Sequence, residues 1–236
     1  MMRTHLLPVL ASVLLLLATG LASATPDGTR EGAIPSIVTQ TGHGPLFQTF
    51  DMVVLNPIES VSINASQTWQ DNRLRAYWSS SLLNVNGFLL FDVTSVPDGA
   101  VITDMRLLCY LENAFGSPSS NPVVDLYYSA DDGWTRASVT PGSLSLDVLL
   151  VDDVPFGGYT PTYEFVLDVS AHDWSGDLAD NQICIGFSND VNYYSYVYFF
   201  GAGGSPAGAP PELTITYETA TPVEATTWGA VKSLFE

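Results

Sequence analysis

Cations are the scarcest chemistry in this chain. Lysine and arginine together number 7 against 25 acids, Lys232 is the single lysine, and the formal net charge is -18. Such a surface repels phosphates, which excludes nucleic acid and anionic lipid as direct partners. There are 3 histidines and 2 cysteines, too few and too dispersed for a zinc site. Catalytic signatures are equally scarce. No Gly-x-Ser-x-Gly elbow, His-Glu-x-x-His pair, phosphate-binding loop or dinucleotide fingerprint occurs. His172 beside Asp173 is the one base with an adjacent carboxylate outside the N-terminal arm, and a turn histidine with a solvated neighbour is the commoner meaning of that pattern. Carboxylates are too abundant for a glycosidase pair to be read from sequence.

A long apolar run occurs once, at the start. Arg3 and His5 precede Leu6–Ala18, and Ala22-Ser23-Ala24 follows as a small-residue cleavage site. Residues 1–24 therefore read as a signal peptide, too short for a preferred membrane span. No later segment is long and apolar enough to cross a bilayer as a helix. The expected location is secreted or at the cell surface, and the mature chain is one unit more negative once Arg3 is removed.

Residues 25–49 read as a Pro-, Gly- and Thr-containing arm or linker. Short strand-like runs then succeed one another to residue 218. They are Met52–Leu55, Ser60–Ile63, Leu74–Trp78, Phe88–Phe91, Val101–Leu111, Val123–Tyr128, Leu144–Val151, Tyr163–Val169, Gln182–Phe187, Tyr193–Phe200 and Leu213–Tyr217. Residues rich in Val, Ile, Leu, Tyr and Phe alternate with Gly, Pro, Asn, Asp and Ser breaks. Roughly ten short strands, a helical turn near Ser170–Ser175 and no long helix predict an all-β sandwich or barrel. Gly203–Pro211 reads as a loop. Residues 219–236 form a C-terminal tail in which Ala225–Phe235 has the spacing of a short helix.

The oxidising location permits a Cys109–Cys184 disulfide. Strand alternation argues against it. Cys109 shares a face with Met105, Leu107 and Leu111, whereas Ile183, Ile185 and Phe187 share a face that excludes Cys184.

Several motifs occur in a fixed order. Phe91-Asp92 ends a strand, Ser95-Val96-Pro97 makes a turn, and Ala100–Tyr110 alternates. Trp134-Thr135-Arg136-Ala137-Ser138-Val139-Thr140 follows, then Leu167-Asp168-Val169, the strand Gln182–Phe187, the aromatic strand Tyr193–Phe200, and Pro211, Leu213 and Tyr217. This order resembles the DNRLRE-type (disaggregatase-related) domains of secreted microbial proteins, over roughly residues 50–218. Pro141 stands where those domains commonly carry a tryptophan, and the first third fits less well. The resemblance implies a jelly-roll-like antiparallel β-sandwich, related to carbohydrate-binding modules.

The candidate ligand-binding residues are aromatic. Trp69, Tyr77 and Trp78 flank a polar stretch, and Tyr194 and Tyr196 lie in a strand with rings on both faces. One face of that strand must be core, so the other exposes its rings or lies under a loop. Exposed rings stack on the C–H face of a sugar while Asn, Asp and Arg bond its hydroxyls. The candidate calcium ligands are Asp131 and Asp132, Asp152 and Asp153, and Asn189 and Asp190; solvated turns are the plainer reading of each pair. Asn64-Ala65-Ser66 has the form of a glycosylation acceptor. The leading expectation is a non-catalytic module that binds polysaccharide or cell-surface glycan, with a structural calcium as an option. A structural or adhesive surface protein that engages other proteins is the alternative, and a polysaccharide-active enzyme ranks below both.

Overall fold

The structure is a computed structural model, and it describes residues 38–41, 49–81, 83–116, 121–156, 160–189, 191, 194–204 and 208–219. Residues 1–24, expected to be a signal peptide, His43, Asp190, Tyr193 and all of the tail beyond Thr219 lie outside the described residues.

The chain is all-β and mostly antiparallel. Its strands are β1 (Val38–Thr41), β2 (Thr49–Leu55), β3 (Glu59–Ile63), β4 (Thr68–Trp69), β5 (Arg73–Ser79), β6 (Leu83–Asp92) and β7 (Val101–Phe115). They continue with β8 (Val123–Ser129), β9 (Val148–Pro155), β10 (Thr162–Val166), β11 (Gln182–Ser188), β12 (Ser195–Phe200) and β13 (Glu212–Glu218). A 3-10 turn, Val169–Ala171, and a short helix α1, Ser175–Asp180, separate β10 from β11. The strands join in the order β1-β2-β13-β7-β12-β5-β6-β11-β8-β9; β10 pairs with β7, and β3 pairs with β6 and β4.

This sheet curls because two strands are long enough to change partners along their length. The first part of β7 pairs with β13 and β10, and its last part pairs with β12. The start of β6 pairs with β5, and the rest pairs with β11 and β3. Both long strands thus carry the ladder around a bend, and the enclosed faces share one core. Met105, Leu107, Cys109 and Leu111 of β7 pack with Leu89 and Phe91 of β6, and with Ile183, Ile185 and Phe187 of β11. Phe165 of β10 meets Phe187 of β11 edge-on at 6.1 Å, and Phe199 of β12 contacts both. Each such fully buried side chain contributes on the order of 1.5–3 kcal/mol.

The Phe88-Leu89-Leu90-Phe91 run has no alternation because both of its faces are covered. Leu89 and Phe91 face the main core, and Phe88 and Leu90 belong to a second cluster with Val61, Ile63, Trp134, Val139 and Cys184. The cover is the β8–β9 connection, residues 130–147. An alanine at Gly186 would place its Cβ 2.4 Å from Leu146, so this loop lies directly on β11. Cys109 and Cys184 are both buried and free, in different clusters. The disulfide is not formed, because alternation sends the two sulfurs to opposite sides of the sheet.

Two strand expectations change. Residues 144–147, read as the start of a strand, belong to the covering loop, and β9 starts at Val148. The apolar Leu144 and Leu146 pack under that loop on the second cluster, so their burial mimics strand alternation. The N-terminal arm contains β1, which pairs along β2 from Val38 opposite Met52 to Thr41 opposite Thr49.

The shared motifs resolve into turns and core. Asp92 accepts from the Thr94 backbone N–H at 2.9 Å and hydroxyl at 2.7 Å, and Val96 is buried behind it. Gly99, at φ 73°, makes the turn into β7. Asp168 repeats the cap on Ser170. In the Trp134–Thr140 element, Ser138 Oγ accepts from the Thr135 N–H at 2.8 Å, and Trp134 and Val139 anchor the turn in the second cluster.

Candidate functional site

The aromatic strand β12 lies between β5 and β7. Tyr196 pairs with Tyr77 and Tyr198 with Arg75 on one side. On the other side, Tyr196 pairs with Phe115 and Tyr198 with Asn113. The two-residue period of each strand then separates two faces. Leu74, Ala76, Val197 and Phe199 are fully buried inward. Arg73, Arg75, Tyr77, Tyr196 and Tyr198 point the other way and are partly exposed. Tyr194 and Phe115 are the most open rings of this face, at 52% and 47% exposure.

The rings hold one another. Tyr196 stacks on Tyr198 at 4.5 Å and on Phe115 at 5.7 Å, with interplanar angles of 19° and 23°. Tyr77 and Phe115 each meet Tyr194 edge-on at 5.8 Å. Asn113 reaches the Tyr196 hydroxyl at 3.4 Å.

The row then becomes polar. The Arg73 and Arg75 guanidinium groups lie 5.3 and 5.8 Å from the Tyr198 ring centre, and Arg75 is also 5.8 Å from that of Trp69. Arg73 donates through Nε and Nη2 to the two carboxylate oxygens of Glu112. A β-bulge places Glu112 there: the register slips between Tyr198 opposite Asn113 and Phe199 opposite Leu111. Arg75 donates end-on, through Nη1 and Nη2, to the two carboxylate oxygens of Asp71 at 2.6 and 2.5 Å. The hydrogen bond from Arg75 holds the Asp71 carboxyl below the usual aspartate range. Burial pushes the Tyr198 hydroxyl above its usual range, with the nearby Arg75 charge pulling the other way.

Asp71, Asn72, Arg73, Glu112 and Phe200 line a cleft of about 250 Å³ at this end. Its floor is tight: a Cβ at Gly208 would sit 2.1 Å from the Phe200 ring. Gly208 therefore lies directly on Phe200, which like Tyr77, Tyr196 and Tyr198 is partly exposed.

Of the aromatic candidates, Trp69, Tyr77, Tyr194 and Tyr196 come together on this patch. Trp78 does not. It lies opposite Ser195, on the inward side of β5, because adjacent strand residues face opposite ways. Sequence reasoning left out Phe115, Asn113, Arg73, Arg75, Asp71 and Glu112. The Arg73-x-Arg75-x-Tyr77 alternation carried a usable signal for the arginines, whereas Phe115 and Glu112 depend on the bulged pairing of β7.

The metal candidates divide. Asp152 and Asp153 converge with Asp125 of β8, with carboxylate oxygens of all three within 4.8 Å of one another. This is the one such group of three among the described residues, and its oxygen-only chemistry suits a hard divalent cation. Asp125 also accepts from the Asp153 backbone N–H at 2.8 Å. Asp131 is occupied otherwise: it accepts from the Ser145 N–H and hydroxyl, both at 2.8 Å, and pins the covering loop. Asp132 lies beside it in the same cleft, its carboxyl pushed up by burial and by the charges of Asp180, Asp177 and Asp131. Asn189 is buried and donates to Ser195 Oγ at 3.0 Å, joining the end of β11 to β12.

His172 pairs with the buried Asp177 of α1 at 2.9 Å rather than with Asp173, which caps Ser175. Its ring lies on Tyr128 at 3.7 Å and edge-on to Trp174 at 4.8 Å. The pair thus fastens the turn and α1 to β8. Asn64 is buried, and its side-chain oxygen accepts from the N–H groups of Ser66 and Gln67, so the acceptor triplet is folded into a turn.

No helix among the described residues is long and apolar enough to cross a membrane. No protein-family model matches the chain, and no curated protein matches it.

Proposed function

We propose that this protein is an exported, non-catalytic module that binds polysaccharide across the open aromatic face of β5, β12 and β7. The observation that carries the reading is the continuous row of Phe115, Tyr194, Tyr77, Tyr196 and Tyr198 with hydrogen-bonding groups at one end. Partly open rings held in fixed orientations present apolar area at little entropic cost, and sugar C–H faces fit such area. The cleft beside Arg73 and Glu112 supplies donors and acceptors for hydroxyl groups. The secretion signal and the DNRLRE-type resemblance, with its jelly-roll-like sandwich, support the same reading. His172 is committed to Asp177 and two rings, which supports a structural rather than catalytic role for it.

The test is binding of the mature chain to a panel of polysaccharides, with Tyr196→Ala as the control, in calcium and in chelator. Saturable binding weakened by Tyr196→Ala supports the reading. Chelator sensitivity removed by Asp152→Asn would assign calcium to the Asp125–Asp152–Asp153 group. The second reading, adhesion to proteins, rests on the apolar exposure of Phe115 and Tyr194. Absence of glycan binding together with concentration-dependent mass abolished by Phe115→Ala would replace the first reading with the second.

A further inference from the structure

We infer that the aromatic face selects uncharged glycans and discriminates against uronate- or sulfate-bearing ones. The inference rests on the glycan-binding reading and adds the charge class of the ligand. An anionic polysaccharide is held most strongly where cations are free to meet its repeating charges. This face offers two guanidinium groups, and both are occupied by carboxylates in two-pronged contacts, Arg73 by Glu112 and Arg75 by Asp71. The four charges sum to zero. Arg75 is the more enclosed of the two, with its side chain 11% exposed between Asp71, Trp69 and Tyr198.

The rest of the described surface supplies no substitute. Arg106 pairs with Asp104 and Glu164, and Arg136 with Glu59, so each described arginine already has an acid partner. The exposed partner in the second pair of the face is the acid, since Asp71 is 54% exposed against 11% for Arg75. An incoming anion therefore meets the carboxylate first at this pair, whereas in the other pair Arg73 is the more open member, 40% exposed against 25% for Glu112, and its Nε and Nη2 donors are both taken by that carboxylate. The rings act in the same direction, because a π-face carries negative potential that favours C–H groups and cations over anions. A net charge of -18 adds a long-range repulsion. An uncharged glycan meets none of these terms, and its hydroxyls bond to the ion pairs as they stand. One repeating carboxylate held beside the outward Asp71 is expected to weaken binding by at most roughly fivefold, since Arg75 offsets part of the repulsion, and a few such charges by more.

The experiment uses the mature chain and matched polymers that share a backbone and differ in charge. Glucan, mannan and galactan are each presented in neutral and carboxymethylated form, at low and at high salt. The expected result is preference for a neutral form by roughly tenfold or more at low salt, with little salt dependence for that form. Glu112→Gln frees Arg73, and it is expected to gain salt-sensitive binding of the carboxymethylated polymer. Asp71→Asn tests the same point through Arg75 should the first variant fold poorly. Tighter, salt-suppressed binding of a carboxymethylated form that Tyr196→Ala weakens would overturn the neutral-ligand inference and leave the glycan reading standing. Absence of binding to every polymer in either form would overturn both.

Discussion

Tyr196→Ala is the sharpest perturbation available, because its ring is the centre of the face. It stacks on Tyr198 and Phe115 and tilts toward Tyr77 at 6.3 Å. Two effects of the substitution can be sized separately. A sugar stacked on one ring face covers about 50 Å² of apolar surface, which at ~25 cal/mol per Å² is about 1.3 kcal/mol, or roughly tenfold in affinity. Four ring contacts are also lost, counting the edge-on one with Tyr194 at 6.3 Å, and on a partly exposed face they amount to about 1–2 kcal/mol of stability. For a domain of this size that lowers the melting temperature by roughly 2–8 °C and leaves the protein folded at 25 °C. Calorimetric titration at 25 °C, beside a thermal melt, reads both effects on one sample. A folded variant that binds the wild-type ligand with unchanged affinity would refute the placement of the site. Loss greater than about a hundredfold would point to collapse of the whole row rather than loss of one platform.

A residue three positions along the same strand, on its inward face, gives the opposite balance. Phe199→Ala removes a ring fully buried among Phe156, Phe165 and Phe187 and should destabilise by about 3–5 kcal/mol in chemical denaturation; a loss below about 1 kcal/mol would contradict the two-face assignment of β12. Both thiols should resist alkylation in the native protein, since burial pushes Cys109 up and Cys184 up to about 12, and both should react in denaturant; rapid native labelling of either would contradict the clusters. Asp132 has a carboxyl raised by burial and by Asp180 and Asp177, so the folded state holds its proton more tightly than the unfolded chain does. Its favourable contribution is present at low pH and is lost as pH rises through the folded value. Asp132→Asn should therefore raise the melting temperature at neutral pH, with the gain shrinking in acid; a lower melting temperature at neutral pH would contradict the assignment.

The all-β class was legible from local chemistry. Runs such as Leu213-Thr214-Ile215-Thr216-Tyr217 state their period directly, and β13 occupies that run with Leu213, Ile215 and Tyr217 buried. Alternation also separated Cys109 from Cys184 and divided β12 into two faces, because side-chain direction along a strand is a local property of the backbone. It could not say that the outward side of Cys184 is covered. That depends on the 130–147 loop folding over β11, a contact between segments far apart in sequence.

The site divides along the same line. That Tyr194, Tyr196 and Tyr198 share a face follows from their spacing alone. That Tyr77, Phe115, Arg75 and Glu112 join them depends on β12 pairing between β5 and β7, and on one extra residue in β7. Alternation puts Trp78 and Tyr77 on opposite faces, and the pairing of β5 with β12 decided which of the two joins the outward rings. Asp152 and Asp153 acquired Asp125 through strand pairing, while Asp131 was claimed by Ser145. Residue type and period, which are local, determined the class of the fold and which side chains travel together. Which strands meet, and therefore which side chains form a surface, was decided by long-range pairing around a common core, and only the tertiary structure carries that choice.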